Sequence, residues 1–368
     1  MKIFQLIQCP QSRGVEIFTA QLCDSLSQRG HEVLLISLFS GDYSLPFSGR
    51  QIHLGLNTSR RFWDWKAWKA FAHLIEREKP DVIQANAADT LKFAVFSKLL
   101  FGWKVPLVFR NASLFSQYIQ GFGKKKFNQF LLNRVDGVVS VSEASQKDMQ
   151  DFFSLKRPKF QVIPIGISLN DLEANFSDSK ETELVHIGGF TFEKNHRELL
   201  SIFENLSKKY PKLTLRLIGN GPLVDEVNEE IVKRGLETKV KLMGALPKPY
   251  LGLSKKSILV LPSRIEGLPA VIVEAIFLKI PVVAYGVGGI PEILKNGETG
   301  WCIPPNDSEA FIYAIQEVLE MDQPSKKKIL DQAYDLVISN YSLSKVTLQF
   351  EEFYQSLLAN SESKQDFL

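Results

Sequence analysis

The sequence predicts an α/β protein made of two Rossmann-like domains facing across a cleft, each with a doubly wound parallel sheet. Three observations predict it. Short runs are apolar on both faces, as strands of a parallel sheet covered by helices must be. Helix-length amphipathic stretches separate these runs, and strand–helix alternation gives an open doubly wound sheet. The rhythm stops at the polar segment 168–182 (SLNDLEANFSDSKET) and restarts near Leu184. A polar stretch of this kind reads as a linker.

The first half has strand-like runs at 2–7, 32–37, 81–86, 106–111, 137–142 and 160–165. Helices are predicted between them at 14–29, 62–79, 88–101, 124–134 and 143–153. In the second half the runs lie at 184–188, 213–219, 239–243, 258–261 and 281–285, with helices at 195–209, 222–234 and 270–279. The expected domains are 1–168 and 169–344, with 345–368 joined to the first through a last helix over roughly 344–360 that crosses back. There is no solenoid-like repeat and no low-complexity tract.

Composition excludes several classes. At 45% apolar and 23% charged residues the chain is globular, neither disordered nor fibrous. Cys9, Cys23 and Cys302 are too few and too scattered for a disulfide framework or a zinc site, which fits a reducing compartment. No apolar run approaches ~18 residues, so no spanning helix is expected. The start, MKIFQLIQCPQSRG, has too short an apolar stretch for a signal peptide and reads as a first strand. The net charge of +3 hides an asymmetry. Residues 1–168 carry 22 basic and 13 acidic side chains, and residues 169–368 carry 22 and 28, giving +9 and −6. A basic half points to an anionic or membrane partner.

Ligands of open α/β sheets bind beyond the carboxyl ends of the strands. The unusual residues fall there. In 257–292 a buried run ends at Pro262–Ser263, a loop carries Arg264, Glu266 and Gly267, and Pro269 is expected as the first helical residue. The helix that follows is apolar except for Glu274 and Lys279. Its N-terminus offers unpaired N–H groups and a positive dipole end, a phosphate site. Glu274 is placed to accept from vicinal hydroxyls beside such a phosphate, and Glu266 lies nearer whatever is attached beyond it. A plain structural alternative also stands on these residues: Glu266 caps the helix and Glu274 pairs with a lysine.

Glu266 and Glu274, separated by seven residues within SRIEGLPAVIVEA, resemble the E-x7-E signature of the retaining glycosyltransferases of family 4, which have the GT-B fold. Further segments resemble that family in order and spacing. They are Arg13–Gly14–Val15–Glu16, KPDVIQ at 79–84, VIPIGI at 162–167, GGFTFEKNH at 188–196, LIGNGP at 217–222 and the stretch 286–300.

The resemblance implies a sugar moved from a nucleotide donor to an acceptor hydroxyl with retention. It implies Glu274 on the ribose hydroxyls, Glu266 on the donor sugar, Gly267 and Leu268 amides on the distal phosphate or sugar, and Lys194 on the diphosphate. Glu266 and Lys194 are the expected catalytic pair. Gly14 and Gly189 then face the diphosphate, Asn220 lies near the nucleotide and Met243 near the base. Backbone recognition leaves no side-chain code, so UDP and GDP both stay open. No cofactor is expected beyond this co-substrate. No D-x-D pair occurs, in agreement with the family's metal-independent chemistry.

Two departures stand out. Phe190 follows Gly189 where the family has arginine, and Arg264 or Arg197 is the proposed compensation. Asn111, with Arg110 before it, stands where the family often has histidine, and asparagine is no general base at neutral pH. Both are assigned to the acceptor side. In the basic half, 59–79 carries three of the five tryptophans among Arg60, Arg61, Lys66 and Lys69, with Trp65, Trp68, Ala72 and Ile75 at helical spacing. The segment 121–130 (GFGKKKFNQF) repeats that mixture. Tryptophan with basic residues suits a membrane interface, and a core helix with a solvated basic face is the competing reading. The expected acceptor is a saccharide or lipid-linked molecule in polysaccharide, lipopolysaccharide or glycolipid synthesis, at the cytoplasmic side and peripheral to the inner membrane face. No nucleic-acid module is recognisable, so no such partner is expected. Two other functions fit the fold: a nucleotide-sugar epimerase, and a non-catalytic nucleotide-sugar-binding subunit.

Overall fold

The computed structural model describes residues 1–56, 64–168, 172, 175–177 and 181–365, the side chains of 360–365 excepted. The chain forms two compact units, Met1–Gly166 with Leu343–Leu368, and Ile167–Ser342. These boundaries lie two residues before the expected ones.

In the first unit the order is β1 (Lys2–Ile7), α1 (Gly14–Gln28), β2 (Glu32–Ser37), β3 (Arg50–His53), α2 (Trp65–Glu78), β4 (Val82–Ala85), α3 (Ala88–Phe101), β5 (Leu107–Asn111), α4 (Phe122–Leu132), β6 (Gly137–Ser140), α5 (Glu143–Phe152) and β7 (Lys159–Val162). These strands form one parallel sheet, ordered β3-β2-β1-β4-β5-β6-β7. The order reverses between β1 and β4, the crevice where such sheets take ligands. The second unit runs β8 (Glu183–Ile187), α6 (His196–Lys209), β9 (Thr214–Ile218), α7 (Val224–Lys233), β10 (Val240–Leu242), β11 (Ser257–Leu261), α8 (Ala270–Phe277), β12 (Val282–Tyr285), α9 (Ile290–Ile293), β13 (Trp301–Ile303), α10 (Ser308–Glu320) and α11 (Gln323–Tyr341). Its parallel sheet is ordered β10-β9-β8-β11-β12-β13 and reverses between β8 and β11. This pair of parallel-sheet α/β units is the GT-B architecture.

Helix α12 (Leu343–Gln365) returns to the first unit. Its Phe353 ring fills the space that Gly137 leaves by having no side chain. Tyr354 is buried under the sheet, where its hydroxyl donates to Gln84 Oε1 (2.7 Å) and accepts from Gln5 Nε2 (3.0 Å). Burial without these partners would cost each polar group about 1–3 kcal/mol.

Two strands escape the sequence reading. β3 is an edge strand with mostly exposed side chains, and β13 has only three residues. β3 lacks the apolar run that marks a buried strand, and β13 is apolar but too short to stand out as one. Helix α2 corrects a second expectation. Its buried stripe is Ala67, Trp68, Phe71, Leu74 and Ile75, while Trp65 is exposed. That is an ordinary core-facing stripe, and the competing reading of this helix holds. Residues 59–63, which include Arg60 and Arg61, lie outside the described residues, which resume at Asp64. The Asp64 side chain accepts from Ala67 N–H at 3.0 Å and starts the helix. The basic–aromatic segment at 121–130 does form an exposed helix, α4. Phe122, Phe127 and Phe130 remain exposed beside Lys124 and Lys126. Among the described residues, no helix is long and apolar enough to cross a membrane.

Candidate functional site

At the carboxyl end of the second sheet, backbone contacts between glycines assemble the loops. The loop after β8 passes under the loop after β9. Gly219 has φ +148°, and a Cβ there would lie 1.9 Å from Gly188 O. The Phe190 N–H donates to Asn220 O at 3.0 Å, and Gly188 N–H donates to Ile218 O at 2.9 Å. The loop after β11 is held in the same way by the loop after β12. Gly288 has φ +55°, its missing Cβ would sit 1.9 Å from Glu266 O, and Gly289 N–H donates to Gly267 O at 2.6 Å. Only glycine fits such approaches.

These contacts bring the two predicted catalytic residues together. Lys194 ends a 3₁₀ turn (Phe192–Lys194), and its Nζ lies 2.5 Å from Glu266 Oε1. The lysine is one-fifth exposed and the carboxylate less than one-tenth, so the pair is shielded but reachable. Asn195, with φ +57°, turns the chain into α6 and donates from Nδ2 to Pro262 O at 3.1 Å, joining this loop to that of Glu266.

Glu274 sits on α8 and retains some accessibility, although its carboxyl lies deep among other atoms. Burial raises this carboxyl above the ordinary range, and the Tyr250 hydroxyl opposes that by donating to its Oε2 at 3.0 Å. Neither part of the plain structural alternative occurs: Glu266 pairs with Lys194, and the partner of Glu274 is Tyr250. Pro269 is also corrected. It is the extended N-cap of α8 (ψ 121°), not its first helical residue, and no side chain caps the helix. The Gly267–Leu268 backbone follows Glu266 directly, and α8 begins two residues later at Ala270.

Other predicted residues are placed less simply. Phe190 is buried and stacks on His196, with ring centroids 4.2 Å apart. The position where the resemblance expects arginine is thus part of the core. Arg264 is exposed, stacks over Phe192 at 4.6 Å, and lines a cavity of about 170 Å³ with Arg197 and Glu226. Asn220 is exposed and its Oδ1 accepts from Gly221 N–H at 2.8 Å. Met243 N–H is already engaged with Leu217 O (2.9 Å), so the base-side assignment is left with its carbonyl. Gly189 makes only ordinary contacts.

Sequence reasoning missed Tyr250, Gly288 and a buried histidine pair. Tyr250 is 24 residues from Glu274, with no periodic signal linking them. His186 and His196 meet edge to face with centroids 4.7 Å apart behind Lys194. Burial, with the nearby cations, holds His196 down at about 4 and His186 well below its ordinary range, so both are neutral.

The first unit gathers its candidates at the end of β5. Successive strand residues face opposite sides. Asn111 points toward α5 and donates from Nδ2 to Ser145 O at 3.0 Å. Arg110 points toward α1 and lies 4.2 Å over the Phe18 ring. A cavity of about 570 Å³ opens there, lined by Asn86, Lys92, Arg110, Asn111, Tyr118 and Lys124 among others. Gly14 opens α1 with nothing within 4 Å of where a Cβ would be, and its φ is not in the left-handed region. The turn itself does not demand glycine. Among the described residues no group of three or more His, Cys, Asp or Glu side chains gathers as a metal site.

Known proteins fit both halves. Residues 169–335 match the family model described as Glycosyl transferases group 1, and residues 12–171 match Glycosyltransferase Family 4. An N-acetyl-alpha-D-glucosaminyl L-malate synthase of Bacillus anthracis is 22% identical over 99% of this chain and 99% of that protein. An amylovoran biosynthesis glycosyltransferase of Erwinia amylovora is 25% identical over 86% and 89%. An alpha-D-kanosaminyltransferase of Streptomyces kanamyceticus is 26% identical over 47% of this chain, and the match spans only 45% of that protein. Among solved structures, HepE of Anabaena in complex with UDP and glucose superposes with TM-score 0.81 at 19% identity, covering 97% and 100% of the two chains. Sucrose-phosphate synthase of Thermosynechococcus elongatus gives 0.83 at 19%, covering 98% and 99%.

Proposed function

From a chain that belongs to the GT-B glycosyltransferases, its two halves matching one family model each, we propose a retaining, metal-independent enzyme using a UDP- or GDP-linked sugar donor. The observation that carries this reading is the Lys194–Glu266 pair, its glutamate in the loop that leads into α8, with Glu274 eight positions on and still accessible.

Breaking the bond between the anomeric carbon and the diphosphate oxygen leaves extra negative charge on that oxygen. Lys194 and the fixed N–H groups of α8 and Gly267–Leu268 lie where such charge is stabilised without reorganisation. Glu274, kept in place by Tyr250, accepts from the ribose hydroxyls. Glu266 holds the donor sugar and steadies Lys194 until the diphosphate arrives. The new C–O bond forms on the face the leaving group vacates, and the acceptor proton passes to the released phosphate oxygen. Asn111 need not be a base in this scheme.

The relative named for amylovoran biosynthesis supports an acceptor hydroxyl on a cell-surface saccharide, and the one named for L-malate supports a small hydroxy acid as the competing acceptor class. The exposed aromatic and basic side chains of α4 support a lipid-linked acceptor met at an anionic membrane surface from the cytoplasmic side. Indifference of vesicle binding to anionic lipid content at low salt would remove that part.

The deciding experiment incubates purified protein with a panel of nucleotide sugars and acceptors and follows nucleotide release and product configuration by NMR. The expected result is stoichiometric nucleotide and an anomerically retained glycoside. An epimerised donor without transfer establishes the epimerase instead, and binding without turnover across the panel establishes the non-catalytic subunit. A thermal-shift screen of nucleotide diphosphates identifies the base, because a ligand stabilises the fold by mass action.

A further inference from the structure

The end of β5 holds a buried charge with no ion-pair partner among the described residues. Arg110 is 1% exposed, and its Nε and Nη1 have no hydrogen-bond partner among the described residues. Among the described residues no carboxylate lies within ion-pair distance of it. Glu16 on α1 acts on it only at longer range; its carboxylate takes a hydrogen bond from Gln11 Nε2 at 2.9 Å, and burial raises that carboxyl above its ordinary range. Burial lowers the guanidinium to about 10, so it stays charged at neutral pH. A buried cation with no anion is costly, and folds that keep one have a use for it.

Its surroundings indicate the use. Arg110 lines the 570 Å³ cavity together with Lys92 and Lys124, and no acidic residue lines it. Lys92 is partly offset by Asp89, 3.4 Å away. The remaining two charges match a phosphate, which carries about −1.5 to −2 at neutral pH, better than a single carboxylate. Phe115, Tyr118 and Phe127 supply an apolar wall on the same cavity.

We propose that this cavity binds a phosphate group of the acceptor, with Arg110 matching its charge. The inference deepens the glycosyl-transfer reading and rests on it for the word acceptor. The phosphate itself comes either from a phosphorylated lipid or from a free phosphosaccharide.

The test titrates the full chain with inorganic phosphate, and separately with phosphatidylcholine vesicles with and without a polyprenyl phosphate. Four proteins are compared: the unaltered chain, Arg110→Gln, Lys124→Gln and Lys194→Ala. Lys194→Ala removes phosphate binding at the donor site alone, so it should keep the component of phosphate binding that Arg110→Gln loses. Arg110→Gln should bind it at least about tenfold more weakly, since the loss of one partner of a buried charge pair is large. Lys124 is exposed, so Lys124→Gln keeps the fold and should weaken phosphate binding severalfold even if Arg110→Gln does not fold. A polyprenyl-phosphate preference that needs Arg110 assigns the phosphate to a lipid, and phosphate binding without that preference assigns it to a free phosphosaccharide. Equal phosphate affinity in the unaltered chain, Arg110→Gln and Lys124→Gln, or loss only in Lys194→Ala, overturns the proposal. Nucleotide sugars are titrated alongside. Their failure to bind would overturn the glycosyl-transfer reading and leave the phosphate result standing.

Discussion

The two sheets end differently. In the second unit, the cation and carboxylate at the strand ends already hold each other, Lys194 with Glu266, and the loops that carry them are clasped backbone to backbone at Gly219 and Gly288. In the first unit, among the described residues, Arg110 has no carboxylate at ion-pair distance and Asn111 Oδ1 no hydrogen-bond partner, and the space in front of Gly14 is open. Two sheets of one architecture thus present a preorganised polar site and an unsatisfied one. Preorganisation lowers the cost of stabilising charge that develops during reaction. An unsatisfied cavity gains most from a ligand that brings the missing charge. Under the proposed function, this difference corresponds to one unit handling the bond that breaks and the other selecting what receives the sugar.

The comparison is broken most severely at Gly288. Gly288→Ala forces a left-handed alanine whose Cβ overlaps Glu266 O, so the clasp must open. Stability in urea should fall by about 3–4 kcal/mol, with donor binding lost as well. A mild effect would mean that the second site is not preorganised by this contact. Next comes Glu266→Gln, which keeps the shape and removes the charge that steadies Lys194. Turnover should drop roughly a hundredfold, about 2.7 kcal/mol, with a smaller change in donor affinity. Unaltered kcat would take Glu266 out of the chemistry.

A third effect depends on pH. His196 titrates near 4 in the fold against 6.5 when free, chiefly because it is buried and secondly because of Lys194. The unfolded chain therefore binds protons first as the solution is acidified. This contribution to stability is complete above pH 6.5 and falls by about 2 kcal/mol on going to pH 5. His186, depressed as well and packed on the same ring, acts in the same direction. Denaturation of His196→Phe should show a flatter limb between pH 6.5 and 5 than the unaltered chain. Parallel limbs would refute the assignment. The smallest effect belongs to Tyr250→Phe, which strips Glu274 of its donor. Donor KM should rise severalfold, about 1 kcal/mol, with kcat nearly unchanged.

Much of the architecture is legible in the residues. β1 and β2 fall at the predicted bounds because a run buried on both faces can be little else in an α/β chain. The edge strand β3 is invisible because its pairing, not its apolarity, makes it a strand, and β13 because three apolar residues are too short a run to read as one. Of the site, motif resemblance names Lys194 and Glu266 as members of one site, but their pairing across 72 positions comes from the fold, since spacing alone cannot bring them together. Tyr250, the clasp at Gly288 and the core placement of Phe190 leave no such mark. Each depends on which loops the sheet order places side by side.

By itself, then, the sequence determined the two α/β halves, their opposite charges and the two glutamates separated by seven residues, because hydrophobic period, composition and spacing are local properties of the chain. Tertiary structure alone decided which charges are matched. Glu266 met a lysine, Glu274 a tyrosine and Arg110, among the described residues, no carboxylate at ion-pair distance. Pairing and burial are properties of distance through space, and a buried charge acquires its meaning from what the fold places within a few ångströms of it.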